Sequence, residues 1–94
     1  MVLAINIGNT NVTLSGRQND FTKTVRHKSE LFKSQNDFIK IIEEALSLWE
    51  IKSETITGII ISSVNPCLEN HLKNAVSGLF SLTPIIVNTS MNMK

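Results

Sequence analysis

Two apolar runs, Val2–Ile7 and Ile59–Ile61 within the segment 56–64, constrain the fold of this chain more than any other feature. A strand that is apolar at successive positions is buried on both faces, so each run predicts a central strand of a sheet covered by helices. A segment between the runs has helical spacing, and a helix linking two such strands predicts a right-handed parallel crossover. The chain is therefore expected to have an α/β fold.

Alternating polar and apolar residues predict two further strands, at residues 11–16 and 21–27, with a polar turn at 17–20. A very tight polar turn separates the first apolar run from the next strand, which predicts an antiparallel pair. Residues 84–87 predict a last short strand, followed by a polar tail. We expect residues 1–94 to form a single domain. Its sheet would be mixed and five-stranded, with three antiparallel meander strands followed by two helix-linked parallel strands.

Two helices are predicted from their start signals and apolar stripes. Residues 34–37 have the S-x-x-D pattern of a capping box, and apolar residues at helical spacing follow to about Glu50. Asn65 as N-cap with Pro66 at the first helical position predicts the start of the second helix. Its apolar stripe is formed by Leu68, Leu72, Ala75, Val76 and Leu79.

Composition excludes several classes of function. A formal charge of +1, with scattered lysines and arginines interpreted as a solvated surface, gives no field that indicates nucleic acid or anionic membranes. Aromatic residues make up 5% of the chain, which argues against base-stacking surfaces. A single cysteine fits a reducing compartment, and no apolar run approaches the ~20 residues that span a bilayer. We expect a cytoplasmic protein without nucleic-acid or membrane partners.

Several residues that could carry chemistry have simpler interpretations. Cys67 has no neighbour arranged to activate it, so a packed or half-exposed thiol is expected. His27 lacks a partner at metal-ligand spacing. Glu43 and Glu44 lie on the polar side of the predicted helix, where paired carboxylates usually face solvent. Trp49 is expected to anchor the core.

The turn after the first strand is the best candidate for a binding site. Asn6 is the one polar residue of the first run, at the strand end where ligands of α/β sheets gather. Gly8 allows close backbone approach, and Asn9 and Thr10 place an amide and a hydroxyl at the tip. Free backbone N–H groups at such a tip can hold phosphate oxygens. An ordinary hairpin turn is the alternative, which Gly-Asn-Thr alone favours.

The predicted order of elements and two motifs resemble type III pantothenate kinases. This order occurs in the ribonuclease-H-like domains of the actin, Hsp70 and sugar-kinase superfamily. Residues 4–11 resemble the family's phosphate motif, an Asp followed by x-Gly-Asn-Thr, and residues 61–66 with Leu68 resemble its Ser-Val-x-Pro segment. Residues 84–87 match its fifth strand in kind and spacing. The similarity covers essentially the whole chain.

The resemblance implies transfer of the γ-phosphoryl group of ATP to pantothenate, the first step of coenzyme A synthesis, by positioning and charge neutralisation. It implies ATP and Mg²⁺ as cofactors, and it allows a monovalent cation as a third. It assigns ATP-phosphate binding to Asn6, Gly8, Asn9, Thr10 and Asn11. It places Ser62, Ser63 and Asn65 along the same cleft.

Two departures from the family pattern change the expected function. Asn6 stands where the family has Asp, so it could hold a metal only indirectly, through a water. The family's catalytic Asp lies in a Gly-Ala-Asp-Arg segment beyond the equivalent of Lys94, and neither Asp20 nor Asp37 replaces it by motif. No catalytic base is therefore expected within this chain. We expect half of a kinase that works with a second domain or subunit carrying the catalytic Asp.

Other readings stay open. The chain could be a natural small subunit or a fragment of a longer enzyme, and the acceptor could differ, since a phosphate loop does not identify it. A different class of function is a non-catalytic scaffold or regulatory module that has lost phosphoryl transfer. In each case an uncovered domain should expose apolar surface where a counterpart docks, so an oligomer is expected.

Overall fold

The computed structural model of the chain describes residues 1–18 and 21–88. The elements are β1 (Val2–Ile7), β2 (Asn11–Gln18), β3 (Phe21–Lys28), α1 (Gln35–Leu48), β4 (Gly58–Ser63), α2 (Pro66–Phe80) and β5 (Ile85–Asn88). Single 3₁₀ turns occupy Ser29–Leu31 and Ser53–Thr55. This order confirms the predicted succession of strands and helices. Residues 19–20 of the predicted turn and residues 89–94 of the predicted tail lie outside the described residues.

The strands form one sheet in the order β3-β2-β1-β4-β5. β2 is antiparallel to both β1 and β3, whereas β4 is parallel to both β1 and β5. The predicted α/β fold is therefore confirmed, with a five-stranded mixed sheet of three antiparallel meander strands followed by two helix-linked parallel strands. The register places Asn6 between Thr13 of β2 and Ser62 of β4.

Both helices pack on one face of this sheet. Successive strand residues point to opposite faces, and Leu3, Ile5 and Ile7 of β1 are buried on the helix-covered face. The two crossovers, from β3 to β4 and from β4 to β5, step across the sheet in the same direction. Right-handed crossovers of this kind place both helices on the same side. The core also includes Val12, Leu14, Phe32, Phe38, Ile42, Ala45, Leu46, Trp49, Ile56, Ile59, Ile61, Leu68, Leu72, Ala75 and Val76.

The opposite side of the sheet, here called the open face, is not covered by any described element. Asn6 is exposed there, and Ile60, Ile85 and Val87 are exposed by 38%, 64% and 37%. The prediction that both apolar runs are buried on two faces is therefore wrong within residues 1–18 and 21–88. Its physical cause is the common direction of the two crossovers, which leaves no helix for the second face.

The start of α1 confirms the predicted capping box. One carboxylate oxygen of Asp37, Oδ2, accepts the backbone N–H of Ser34 at 3.1 Å and that of Lys33 at 2.8 Å. These hydrogen bonds, first of all the one from Lys33, hold the pKa of Asp37 below its ordinary value. The carboxylate thereby satisfies two backbone donors close to the beginning of the helix.

Acid should weaken this cap. Because the pKa of Asp37 is lower in the folded chain, its contribution to stability is present above the ordinary pKa of 3.8 and is lost as the pH falls through the lowered value. Urea unfolding of the wild type and Asp37→Asn should therefore differ most near neutral pH. A free-energy difference that stays constant down to about pH 2 would contradict this role.

A residue just after α1 has an unfavourable backbone conformation. Glu50 has φ 59°, and the N–H groups of Glu50 and Ile51 bond to the carbonyls of Ser47 and Leu46 at 3.1 and 2.9 Å. This is the Schellman motif, in which a left-handed residue ends the helix and glycine is preferred.

Glu50→Gly should stabilise the protein by about 0.5–1 kcal/mol, because glycine adopts this conformation without the Cβ clash. Thermal or urea unfolding measures the change. Glu54→Gly is the matched control, since Glu54 is also exposed but lacks a positive φ. An equal gain in both variants would exclude the backbone explanation.

Candidate functional site

The turn between β1 and β2 is closed by backbone contacts. The N–H of Gly8 donates to the carbonyl of Asn11 at 2.8 Å, and residues 9 and 10 form the tip. Neither tip residue has a positive φ, so the tolerance of asparagine for unusual dihedrals is not used here. Gly8 also relieves crowding, since a Cβ at this position would lie 3.3 Å from the backbone oxygen of Asn11, a contact tight enough that the turn would have to shift slightly.

A residue after β3 holds the tip in place. The N–H of Ser29 donates to the carbonyl of Thr10 at 2.9 Å, and its hydroxyl donates to the carbonyl of Gly8 at 3.2 Å. The pairing of Asn11 with Lys28 brings this segment beside the tip. Sequence reasoning missed Ser29. Its place directly after a strand that pairs with β2 is the signal that could have found it.

The polar side chains of the tip are accessible. Asn9 and Thr10 are exposed, and the Asn11 amide donates to the Thr10 hydroxyl at 3.1 Å. A depression of about 390 Å³ lies beside the tip. It is lined by Asn9, Thr10, Asn11, Lys28, Ser29 and Glu30. An anion in this depression would meet hydroxyl, amide and ammonium donors, together with one carboxylate.

A second depression, of about 370 Å³, lies on the open face. It is lined by Ala4, Ile5, Asn6, Thr13, Ser15, Arg26, Ile60 and Ser62. Asn6 and Ser62, which sequence reasoning assigned to one cleft, are therefore together on this surface. Around Asn6 the polar lining consists of hydroxyls and one guanidinium.

Of the two remaining predicted cleft residues, one is buried and the other borders a different depression. Ser63 is 6% exposed on the helix-covered face, where its hydroxyl donates to the carbonyl of Asn65 and accepts from its N–H, both at 3.0 Å. It does not share the surface of Ser62, because adjacent residues of a strand point to opposite faces. Asn65 borders a third depression, of about 550 Å³, together with Asn9.

Asn65 also starts α2 as predicted. Its Oδ1 accepts from the N–H groups of Cys67 and Leu68 at 3.1 and 3.2 Å, and Pro66 follows at the first helical position. These contacts satisfy two of the N–H groups that a helix start leaves free. The side-chain oxygen of Asn65 is thus already engaged in hydrogen bonds, and its main role is to cap the start of α2.

The family of this chain follows from its sequence. The sequence profile of type III pantothenate kinases matches residues 2–94, nearly all of the chain. The chain belongs to the type III pantothenate kinase family. Its relatives include the type III pantothenate kinases of Sulfurihydrogenibium sp., 27% identical over 94 residues, and of Ehrlichia ruminantium, 31% identical over 88 residues.

The chain spans about a third of the length of these pantothenate kinases. The alignments cover 99% and 93% of this chain but 37% and 34% of the two relatives. Among solved structures, the Ppx/GppA phosphatase of Aquifex aeolicus is similar over 92% of this chain and 35% of its own. Its sequence identity is 12% and its TM-score is 0.45.

Beyond this site, the structure agrees with the simpler interpretations of Trp49, Glu43 and Glu44, whereas Cys67 is more exposed than the packed or half-exposed thiol that was expected. Trp49 is 7% exposed in the core, Glu43 and Glu44 are exposed, and Cys67 is an exposed thiol. In the part of the chain that the structure describes, no three His, Cys, Asp or Glu residues are placed to share a metal ion. Neither α1 nor α2, the two α-helices of that part, has the length and hydrophobicity of a membrane span.

Proposed function

We propose that this chain is the ATP-phosphate-binding half, or small subunit, of a type III pantothenate kinase-like enzyme and is incomplete alone. The reaction would transfer the γ-phosphoryl group of ATP to pantothenate, as coenzyme A synthesis requires. The observation that carries the proposal is the exposed tip at residues 9 and 10, fastened by two hydrogen bonds from Ser29, in a chain that belongs to this family. Rigid backbone around an exposed polar tip suits a group that must position phosphates.

The rest of the machinery would come from a second domain or subunit that carries the catalytic Asp. Phosphoryl transfer depends on enclosing the nucleotide between two protein surfaces that exclude water. One sheet with a shallow depression supplies one such surface. The apolar part of the open face, formed by Ile60, Ile85 and Val87, is a suitable docking surface for that counterpart. The acceptor pantothenate, a cytoplasmic location and an oligomeric state are part of this proposal.

A metal ion held by the protein fits this site poorly. Mg²⁺ prefers carboxylate oxygens, and Asn6 offers only an amide oxygen. Thr13 and Ser62, which pair with Asn6 on the neighbouring strands, are neutral. Asn6 could orient a water on an ion that arrives with the nucleotide, but the residues around it do not form a cation site of their own.

Calorimetric titration with Mg·ATP tests the proposal. We expect weak binding by the chain alone and tighter binding by its complex with the partner that co-purifies from the native cell, identified by mass spectrometry. The double variant Asn9→Ala/Thr10→Ala should weaken ATP binding in both. Asn74→Ala/Thr83→Ala is the matched control, because both residues are exposed away from the tip.

A scaffold or regulatory module is the second candidate, and Asn6 in place of the family's Asp favours it. In that case neither the chain nor its complex would respond to ATP, whereas the partner would still co-purify. This result would overturn the kinase proposal. A tip variant that binds ATP as well as the control variant would overturn the assignment of the tip.

A further inference from the structure

The formally charged side chains of the described strands are all basic. None of the five strands contains Asp or Glu, whereas β2 and β3 carry Arg17, Lys23, Arg26 and Lys28. Sequence reasoning regarded the lysines and arginines as scattered, since no run of them occurs. Folding brings part of them together because β3 pairs with β2 along its whole length.

Strand register places two of these cations beside the candidate site. Arg26 pairs with Thr13, Thr13 with Asn6, and Asn6 with Ser62, so a row of polar side chains crosses four strands of the open face. Lys28 is two residues beyond Arg26 on the same face and pairs with Asn11. Arg26 borders the depression at Asn6, and Lys28 borders the depression at the tip.

Both side chains are exposed, and neither has a carboxylate within 4.0 Å among the residues that the structure describes. Glu30 is the one acidic residue that lines either depression. A guanidinium can bond two phosphate oxygens at once, and an ammonium is a compact charge that follows a mobile phosphate. The row and the tip therefore present cationic and neutral donors on the same side of the sheet.

We infer that Arg26 and Lys28 supply the positive charge that neutralises a bound polyphosphate in this chain, in the place where a carboxylate-held metal ion would otherwise act. The inference rests on the proposed function and names the groups that serve it. Asn6 fits this arrangement, because an amide can donate to a phosphate oxygen and a carboxylate would repel it. A polyphosphate ligand would then bind along the open face from the tip toward Arg26.

The test is calorimetric titration of the full chain with ATP, adenosine and inorganic tripolyphosphate, each with Mg²⁺ and with EDTA. The variant Arg26→Gln/Lys28→Gln should lose ATP and tripolyphosphate affinity by roughly ten- to a hundredfold, without a change for adenosine. Wild-type binding should persist in EDTA, and its dependence on salt should be steeper than that of the variant. Lys40→Gln/Lys73→Gln removes the same charge from exposed helix positions and should bind as the wild type does.

Two results would overturn the inference while leaving the proposed function intact. One is wild-type ATP binding that the Arg26→Gln/Lys28→Gln variant retains at the level of the control variant. The other is wild-type binding that EDTA abolishes. A wild-type chain that binds neither ATP nor tripolyphosphate, alone or with its partner, overturns the proposed function and this inference together. Unfolding curves that match the wild type show that the variants are folded.

Discussion

Replacing Gly16 with Val should lower the free energy of unfolding by about 1–3 kcal/mol. Gly16 lies on the helix-covered face of β2, directly under the indole of Trp49. A Cβ at this position would lie 3.1 Å from Cζ3 of Trp49 and 3.3 Å from the sulfur of Met1. Valine adds two further methyl groups, so Trp49 or the strand would have to move, and a packed core resists such shifts.

Gly58→Val provides the matched control. Gly58 also lies in a strand, but a Cβ there would be 3.8 Å from the nearest heavy atom, Cγ2 of Val2. This is ordinary van der Waals contact. Because valine favours strands and glycine weakens them, the control should match the wild type or exceed its stability by up to about 1 kcal/mol. Urea unfolding followed by circular dichroism measures both variants.

A second background isolates the cause. In Trp49→Leu the smaller side chain leaves room above β2, so Gly16→Val should cost clearly less stability there than in the wild type. Residues in contact show such coupling, whereas distant ones add independently. An equal cost in both backgrounds would contradict steric conflict with Trp49 and would leave a backbone effect of glycine as the explanation.

Much of this fold is readable in the sequence because its signals are local. The capping box at residues 34–37 and the Asn65–Pro66 helix start each act within one helical turn, and the structure has both. The alternation in β2 and β3 likewise predicts their strands. These features depend on neighbours a few residues away, which a single sequence contains.

The open face could not be predicted in the same way. Ile59 and Ile60 are both isoleucine, yet one is 2% and the other 38% exposed, since they point to opposite sides of β4. An apolar run indicates that burial of the second face of the sheet is favourable. It does not indicate which polypeptide covers that face. In the described chain, the common direction of the two crossovers decides that both helices lie on one side.

The candidate site was only partly predictable for a related reason. Asn6, Gly8 and the tip residues lie within one short segment, so their pattern is visible. Ser29 and Arg26 reach the site through the pairing of β3 with β2, and only the register brings them there. Ser62 and Ser63 are adjacent in sequence, but strand geometry sends one to the open face and the other into the core.

Asn6→Asp should change the dependence of ATP binding on Mg²⁺. With Mg²⁺ present, the new carboxylate gains a charged contact to the ion, and binding should be tighter than in EDTA by roughly ten- to a hundredfold. In EDTA the same carboxylate repels phosphate oxygens, so ATP should bind more weakly than it does to the wild type. The wild type, which relies on Arg26 and Lys28 in our inference, should respond little to Mg²⁺.

Two controls separate charge from shape at this position. Asn6→Ser removes the amide without adding charge, so it should lose affinity equally with and without Mg²⁺. Asn74→Asp adds the same charge at an exposed position of α2, away from the site, and should leave ATP binding unchanged. An Mg²⁺ response in Asn74→Asp as large as that in Asn6→Asp would show a non-specific effect of net charge.

Reconstitution with the partner extends the same substitution to catalysis. If the chain is half of a kinase whose metal contact is weakened by Asn6, then Asn6→Asp should raise the activity of the complex tens- to hundreds-fold, equivalent to ~2–4 kcal/mol of transition-state stabilisation. A scaffold would bind its partner equally well before and after this substitution and would gain no activity from it. An active wild-type complex that Asn6→Asp slows would contradict a metal contact weakened by Asn6.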